Sequence, residues 1–390
     1  MFGRRLKQLR LARGLSIDAL VAKMGGLVSK QAISKYEREL ARPTPKVLVV
    51  LAKALCIKSD TLFVEPSVSV DFIAYRKGSG LKTKEQDRVK SLMVETLERW
   101  VNLQELTGDG ANPAIPVQNK KIKKVEDAEV VASEIRQQWN LGEDPIANVT
   151  TTLEDHNVFV INIDTDEKFD GISAVAWGED RKVRAAAVAS RRGISGERQR
   201  LNLVHELGHL ILEIDSTVDE EDAAFRFGAA FLAPSSVMYA EFGRKRSNIN
   251  LEELMLFKSK FGLSMQAIIY RLRNLEVINK TSYAEWFHFI NKRGWKKHEP
   301  FELKPEKPQW LRKNVMRALA EEVITIKEAE QLLGEKIPFQ IDTSQIRRRA
   351  FMKLPPRKRE KILSEQARRA ALDYEYDEEW MAMPVEDDHY

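Results

Sequence analysis

Apolar side chains recur every three or four positions along most of this 390-residue chain, the period of a helix buried on one face. Leu6, Leu9 and Leu11 predict a helix over 4–12 that Gly14 ends. Ile17, Leu20, Val21 and Met24 mark a second, capped by Ser16. Gly25 and Gly26 turn the chain, and Ser29 caps a third helix, Lys30–Glu37, with Ala32, Ile33 and Tyr36 inward. Pro43 and Pro45 open a fourth, Lys46–Leu55, and a last turn ends at Phe63. Val68–Tyr75 alternates briefly. Glu85–Leu106 reads as one amphipathic helix whose stripe (Val89, Leu92, Met93, Leu97, Trp100, Leu103) suits a core or a dimer seam. Gly108–Pro116 has the composition of a linker and Lys120–Lys124 that of a solvated basic run. Helices follow over Asp127–Leu141 and Ile146–His156. The period then switches to two, so Val158–Ile163, Asp170–Trp177 and Val183–Ser190 read as strands. Helical spacing returns over Arg198–Glu213, Glu220–Leu232, Leu251–Phe261, Ser264–Leu275, Trp310–Glu321 and Thr325–Leu333, the last opened by a Thr325–Glu328 capping box. The class is mainly α with an α+β central domain: helices, a small sheet, then a long apolar helix packed on it.

That apolar helix carries the chemistry. His205-Glu206-Leu207-Gly208-His209 reads H-E-x-x-H, and two of the chain's six histidines sit in it. Imidazoles four residues apart lie one above the other on one helical face and can reach one Zn²⁺. Glu206 points elsewhere around the helix, where it can hold a water that the metal also holds, the arrangement of a metallopeptidase general base. Leu201, Leu203, Val204, Leu207, Leu210, Ile211 and Leu212 make the surroundings apolar, which argues against a helix bearing two surface histidines. A catalytic zinc wants a third protein ligand. No third His follows at a suitable spacing, so the ligand is expected among the acids Asp219-Glu220-Glu221-Asp222, although acids also favour any helix N-terminus. His156, at a helix end, is expected to cap or face solvent.

Charge adds a second function. Residues 1–64 hold 13 Lys/Arg against 4 Asp/Glu, a balance of +9 where the whole chain has +5. That suits a phosphate backbone. The single cysteine, Cys56, excludes an internal disulfide and fits a reducing compartment. No stretch approaches the ~20 apolar residues of a membrane span, and Met-Phe-Gly-Arg-Arg leads into polar helix. A cytoplasmic chain is expected.

Three resemblances sharpen these readings. Arg4–Arg10, Ser29-Lys30-Gln31-Ala32-Ile33-Ser34-Lys35-Tyr36-Glu37, Pro43 and Leu51–Leu55 resemble the Cro/repressor-like (XRE) helix-turn-helix family over about 60 residues. By that resemblance the third helix enters the major groove. Gln31 is then the candidate for reading a base edge, Lys30, Lys35 and Arg42 are phosphate contacts, and Ser34 shares the exposed face. Ile17 and Asp18 stand where the family usually has Gln, the turn 25–28 is about two residues long for the family, and Glu39 stands where it has Gly. His205–His209, Glu221 and Arg226-Phe227-Gly228-Ala229-Ala230-Phe231-Leu232-Ala233-Pro234 resemble the ImmA/IrrE zinc metallopeptidases, with supporting pieces at Trp139–Gly142, Pro145-Ile146, Phe169-Asp170-Gly171 and Ser190–Arg200. That family's third ligand is a Glu six positions before the Phe, here Glu221, with Glu220 and Asp222 as fallbacks. Gly228, where the family has Ala, is expected only to loosen helix packing. Tyr239 and Arg226 are guesses for an oxyanion stabiliser. Finally Phe351–Trp380, with Leu354-Pro355, Arg359–Ala367 and the acidic run from Asp373 to Asp388, resembles antitoxin tails of toxin–antitoxin modules.

The expected organisation is a five-helix helix-turn-helix domain at 1–66, a helical linker at 67–119, a zincin-like metallopeptidase domain with a small sheet at 120–242, a helical extension at 243–340 and a charged antitoxin-like tail at 341–390. The expected function is a transcriptional regulator, dimeric on operator DNA, with one Zn²⁺ per chain. Its peptidase-like domain acts on, or senses through, a repressor-type protein, with Glu206 as base and His205, His209 and Glu221 as ligands. The rival is an antitoxin that represses its own operon and sequesters a toxin through the tail, its metal site non-catalytic; a weaker third reading makes the zinc purely structural. Self-cleavage between Gly108 and Lys124 is a further variant.

Overall fold

The structure, a computed structural model, describes residues 2–74, 81–107, 115–117, 120–337 and scattered positions from 351 to 367. It divides into two units, residues 1–334 and 335–390. Most of the tail resemblance, and the linker at 108–114, lie outside the described residues. Among the described residues no helix is long and apolar enough to cross a membrane.

The basic N-terminus folds into α1 (Phe2–Ala12), α2 (Ile17–Lys23), α3 (Lys30–Glu37) and α4 (Pro45–Ala54). The expected fifth helix is one 3₁₀ turn, Asp60–Leu62. Ser16 and Ser29 accept from the backbone N–H of Ala19 and Ala32, so both caps form where the sequence places them. Leu6, Leu9, Leu20, Ile33, Leu51, Leu55 and Leu62 are fully buried in a core of their own.

Next come β1 (Ser69–Ala74) and the 25-residue α5 (Thr83–Thr107). The α5 stripe is core and not a seam: Val89, Met93 and Leu97 are fully buried against a sheet of the same chain. The opposite side of α5 holds α1. Arg5 pairs with Glu98, and Arg13 pairs twice with Glu95, at 2.9 and 3.0 Å. These carboxylates are buried. Removing one partner of a buried pair strands the other, which typically costs about 3–5 kcal/mol. Glu98→Ala is therefore expected to lower stability by about that amount, read as a shifted urea midpoint. A midpoint within error of wild type would show that α1 is not held this way.

The central region contains β2 (Lys120–Ile122), α6 (Asp127–Gln138), α7 (Val149–Asp155), β3 (Val158–Ile163), β4 (Gly171–Trp177), β5 (Val183–Arg191), α8 (Gly196–Ile211), β6 (Leu212–Ile214) and α9 (Glu220–Leu232). The sheet runs β1-β4-β5-β3, with β4 antiparallel to both β1 and β5 and β3 parallel to β5. Alternate side chains face opposite layers. Val158, Val160, Val175, Ala186 and Val188 share a core with α8, while Phe159, Ile161, Ala174, Ala187 and Ala189 share one with α5. Two expectations are corrected here. The run Lys120–Lys124 keeps Lys121, Lys123 and Lys124 exposed, but Lys120–Ile122 is a strand that pairs parallel with β6, and Ile122 is buried. The helix expected to reach Glu213 stops at Ile211, because Leu212–Ile214 is taken into that pairing.

Beyond lie α10 (Ser235–Phe242), α11 (Leu251–Phe261), α12 (Met265–Asn274), α13 (Lys280–Lys292), α14 (Trp310–Ala320) and α15 (Ile326–Leu333); α10 and α13 were not expected. The Thr325–Glu328 capping box forms. Residues 299–310 strap this extension to the central region through carboxylates at helix N-termini. Glu306 accepts from Val149 and Thr150 at the start of α7, and Glu299 from Met265 at the start of α12. Glu154 accepts from Gln309 and Trp310 where α14 begins.

Burial pushes the Glu154 carboxyl up from 4.5 to about 7, against the lowering effect of those two N–H donors. Between these values the native chain keeps a proton that the unfolded chain has released. The Glu154 contribution is therefore most favourable below pH 4.5 and falls, by up to about 3 kcal/mol, as pH rises to 7. In Glu154→Gln this decline is expected to vanish, so wild type should lose more thermal stability between pH 5 and 7.5 than the variant. Equal slopes would contradict the assignment.

Candidate metal centre

Ser195 caps α8, accepting from Arg198 N–H, and the helix runs through the core with Leu203, Val204, Leu207, Leu210 and Ile211 fully buried. His205, Glu206 and His209 are themselves 6, 6 and 2% exposed. The two Nε2 atoms lie 3.1 Å apart.

A second helix completes the cluster. Asp219 caps α9, and Glu221 follows in its first turn. Helices α8 and α9 approach closely because glycines line their contact. A Cβ on Gly208 would stand 3.2 Å from the Ala224 Cα, and one on Gly228 would stand 3.2 Å from the His205 backbone nitrogen. Gly228 therefore tightens this contact, contrary to the expectation that it loosens it. The approach brings Glu221 Oε2 to 3.4 Å from His205 Nε2, and its Oε1 to 3.9 Å from His209 Nε2. Ligand atoms of His205, His209 and Glu221 all lie within 4.8 Å of one another, the single such cluster among the described residues.

These residues fit a divalent metal. Ligands ~2.0–2.1 Å from a tetrahedral ion lie roughly 3.3 Å from each other, close to the 3.1, 3.4 and 3.9 Å seen. The donor set of two imidazoles and a carboxylate also suits zinc. The fallback Glu220 stands differently: its Oε1 lies 3.3 Å from His209 Nδ1, the ring nitrogen turned away from the cluster. That is where a carboxylate orients a metal-binding imidazole. Burial and the neighbouring Glu221 raise its carboxyl above the ordinary range. Asp222 is exposed, its N–H held by the Asp219 side chain.

Glu206 is set against the start of β4. A Cβ on Gly171 would fall 2.5 Å from Glu206 Oε1, so the base occupies space that only glycine leaves open. Both histidines, Glu206 and Glu221 line a cavity of about 850 Å³. Tyr239 and Arg226, the sequence-based guesses for an oxyanion stabiliser, are elsewhere. Arg226 pairs with Glu129 at 2.6 Å, and the Tyr239 hydroxyl donates to the Leu275 carbonyl. Tyr270 and Tyr283 line the cavity instead and were missed, although the apolar stripe Tyr283, Trp286, Phe287 and Ile290 of α13 has helical spacing and could have announced that helix. His156 closes α7, stacked 4.1 Å from Trp139, with Nδ1 on the Thr152 carbonyl.

At the other end of the chain, Lys30, Gln31, Lys35 and Arg42 are exposed and Ser34 half-buried. Lys30 pairs with Asp18 at 2.8 Å, so the unusual acid in α2 partly neutralises this candidate phosphate contact. Gly25 and Gly26 both take positive φ, which accommodates the turn between α2 and α3. Glu39 takes φ 61°, the left-handed conformation for which glycine is usual after a helix. Its carboxylate accepts from Gly3 N–H.

A helix-turn-helix domain thus accompanies a buried His/His/Glu cluster on two crossing helices, the architecture of a regulator joined to a metallopeptidase-like domain. Family comparison agrees. Residues 6–62 match the helix-turn-helix model, and residues 191–273 match that of the IrrE N-terminal-like domain. The chain joins an XRE/Cro-like helix-turn-helix to an IrrE/ImmA-type peptidase-like domain. No curated protein and no solved structure matches it.

Proposed function

We propose that the chain is an operator-binding regulator carrying a zinc-dependent endopeptidase that acts on a repressor-type protein. One observation carries this reading: the His205/His209/Glu221 cluster, with Glu206 beside it, opens onto a cavity large enough for a peptide segment. A purely structural zinc site would be closed by a fourth protein ligand, and none joins this cluster among the described residues. His205, His209 and Glu221 would hold the ion, with Glu220 3.3 Å from the His209 Nδ1. Bound zinc supplies the Lewis acid that polarises the peptide carbonyl and acidifies a water. Glu206, in the space that Gly171 leaves open, would take a proton from the attacking water and return it to the leaving amine. The exposed face of α3 addresses operator DNA through Gln31 and Lys35, with Arg42 beside it. The division into reader (1–66), connection (67–119), peptidase (120–242), extension (243–340) and tail (341–390) belongs to the same proposal.

The test compares cells producing the wild-type chain with cells producing Glu206→Gln. A DNA-binding repressor cleaved only by the wild type supports the reading; identical fragment patterns would overturn it. Truncation before residue 345 should leave the cleavage intact, whereas an antitoxin would lose its function. On an isolated operator fragment, Lys35→Ala is expected to reduce the salt slope of binding by about 1, and Gln31→Ala to cost about 1–3 kcal/mol of discrimination. If neither variant alters binding, α3 is not the reading element.

A further inference from the structure

We propose that the metal cleft selects a peptide with a large apolar side chain next to the scissile bond and an acidic residue close by. This rests on the peptidase reading above. One wall of the cavity is aromatic. The Phe225 ring lies 5.6 Å from the His205 ring, and Tyr270 on α12 lies 5.8 Å from Phe225. Tyr283 and Phe287 of α13 continue the wall, 4.6 Å apart. All four line the cavity and are half-buried. They face open space beside the metal ligands, where an apolar side chain can displace water from them. Burial, with Tyr270 nearby, raises the Tyr283 hydroxyl, which therefore stays neutral.

Two lysines stand just past the end of α13. Lys296 and Lys297 line the cavity, are exposed, and make no ion pair within the described residues. The acids around them are engaged. Glu197 and Glu299 share the buried Lys258 ammonium, and Asp170 pairs with Arg198 at 2.7 Å. Both α13 and the lysines lie beyond residue 273, where the match to the IrrE N-terminal-like domain ends. The extension thus adds a specificity surface to the peptidase-like core.

The test uses the full chain with Glu206→Gln, loaded with zinc, so that binding is read without turnover. Three labelled decapeptides serve as probes: one with a central Phe followed by Glu, one with Ala in place of Phe, and one with Lys in place of Glu. Loss of the Phe is expected to weaken binding by about tenfold or more, and the charge reversal to weaken it at low salt. Phe287→Ala should erase the preference for Phe. The double change Lys296→Glu and Lys297→Glu, on exposed side chains that leave the fold alone, should reverse the preference for Glu. Equal binding of the three peptides, or preferences untouched by these changes, would overturn the proposal. Cleavage by the zinc-loaded wild type without these preferences removes the subsite and leaves the peptidase. The preferences without any cleavage remove the peptidase and leave the subsite.

Discussion

Purified Glu221→Gln protein is expected to be folded and free of zinc, beside a wild type holding one zinc per chain. Glu221 sits in the first turn of α9, whose cap is Asp219 and whose buried face is Ala223, Ala224 and Phe227. None of these is touched, so the melting curve of the metal-free protein should barely move. The affinity should fall far. Loss of a mere outer partner of a metal ligand costs roughly 10–100-fold, and removal of a ligand from a set of three exceeds that. Glu206→Gln is the counterpart. Its carboxylate is not in the cluster, so zinc stays while turnover falls by on the order of 10²–10⁴-fold, the usual worth of a general base. Elemental analysis of the two variants separates the roles. Stoichiometric zinc in Glu221→Gln would remove Glu221 from the ligand set and make Glu220, 3.3 Å from His209 Nδ1, the next residue to change.

How much of this was legible follows from range along the chain. The imidazole pair needed only one helix and its 3.6-residue period, so the sequence alone placed His205 and His209 on one face. Glu221 needed the crossing of α8 and α9, which depends on Gly208, Ala224 and Gly228 lying against backbone; spacing pointed to four acids, and resemblance to one. The strand β2 escaped notice, and β1 showed only as a brief alternation, for a related reason. Ser69–Ala74 finds its partner about 100 residues later in β4, and Lys120–Ile122 buries one side chain, Ile122, against β6. Neither leaves a strong local pattern. The cavity wall was least legible of all. Tyr283 and Phe287 share a helical stripe with Trp286 and Ile290, so the helix itself was legible, but which of these side chains border the cleft depends on how α13 packs beside α12.

The role of Gly171 leads to the second large effect. β4 begins at this residue, paired with Ser190, and its Cα lies directly against the Glu206 side chain. An added Cβ would stand 2.5 Å from Oε1, 2.8 Å from Cγ and 2.9 Å from Cδ. Contact with the stem as well as the head means that turning the carboxylate about its last bond gives no relief. Either Glu206 swings out of its place or the start of β4 moves. Misplacing a reacting group by 1 Å can cost about 10²-fold, so Gly171→Ala is expected to lower turnover by at least that order while zinc content and operator binding stay as in wild type. Gly178, just past the other end of β4, supplies the control. Its Cβ would also meet atoms closely, at 2.6 and 2.9 Å, but these are Nε of the flexible Arg184 side chain and Oδ1 at the end of the exposed Asp180 side chain. Gly178→Ala should therefore be nearly silent. Wild-type turnover in zinc-loaded Gly171→Ala would mean that Glu206 does its work from a position this contact does not govern.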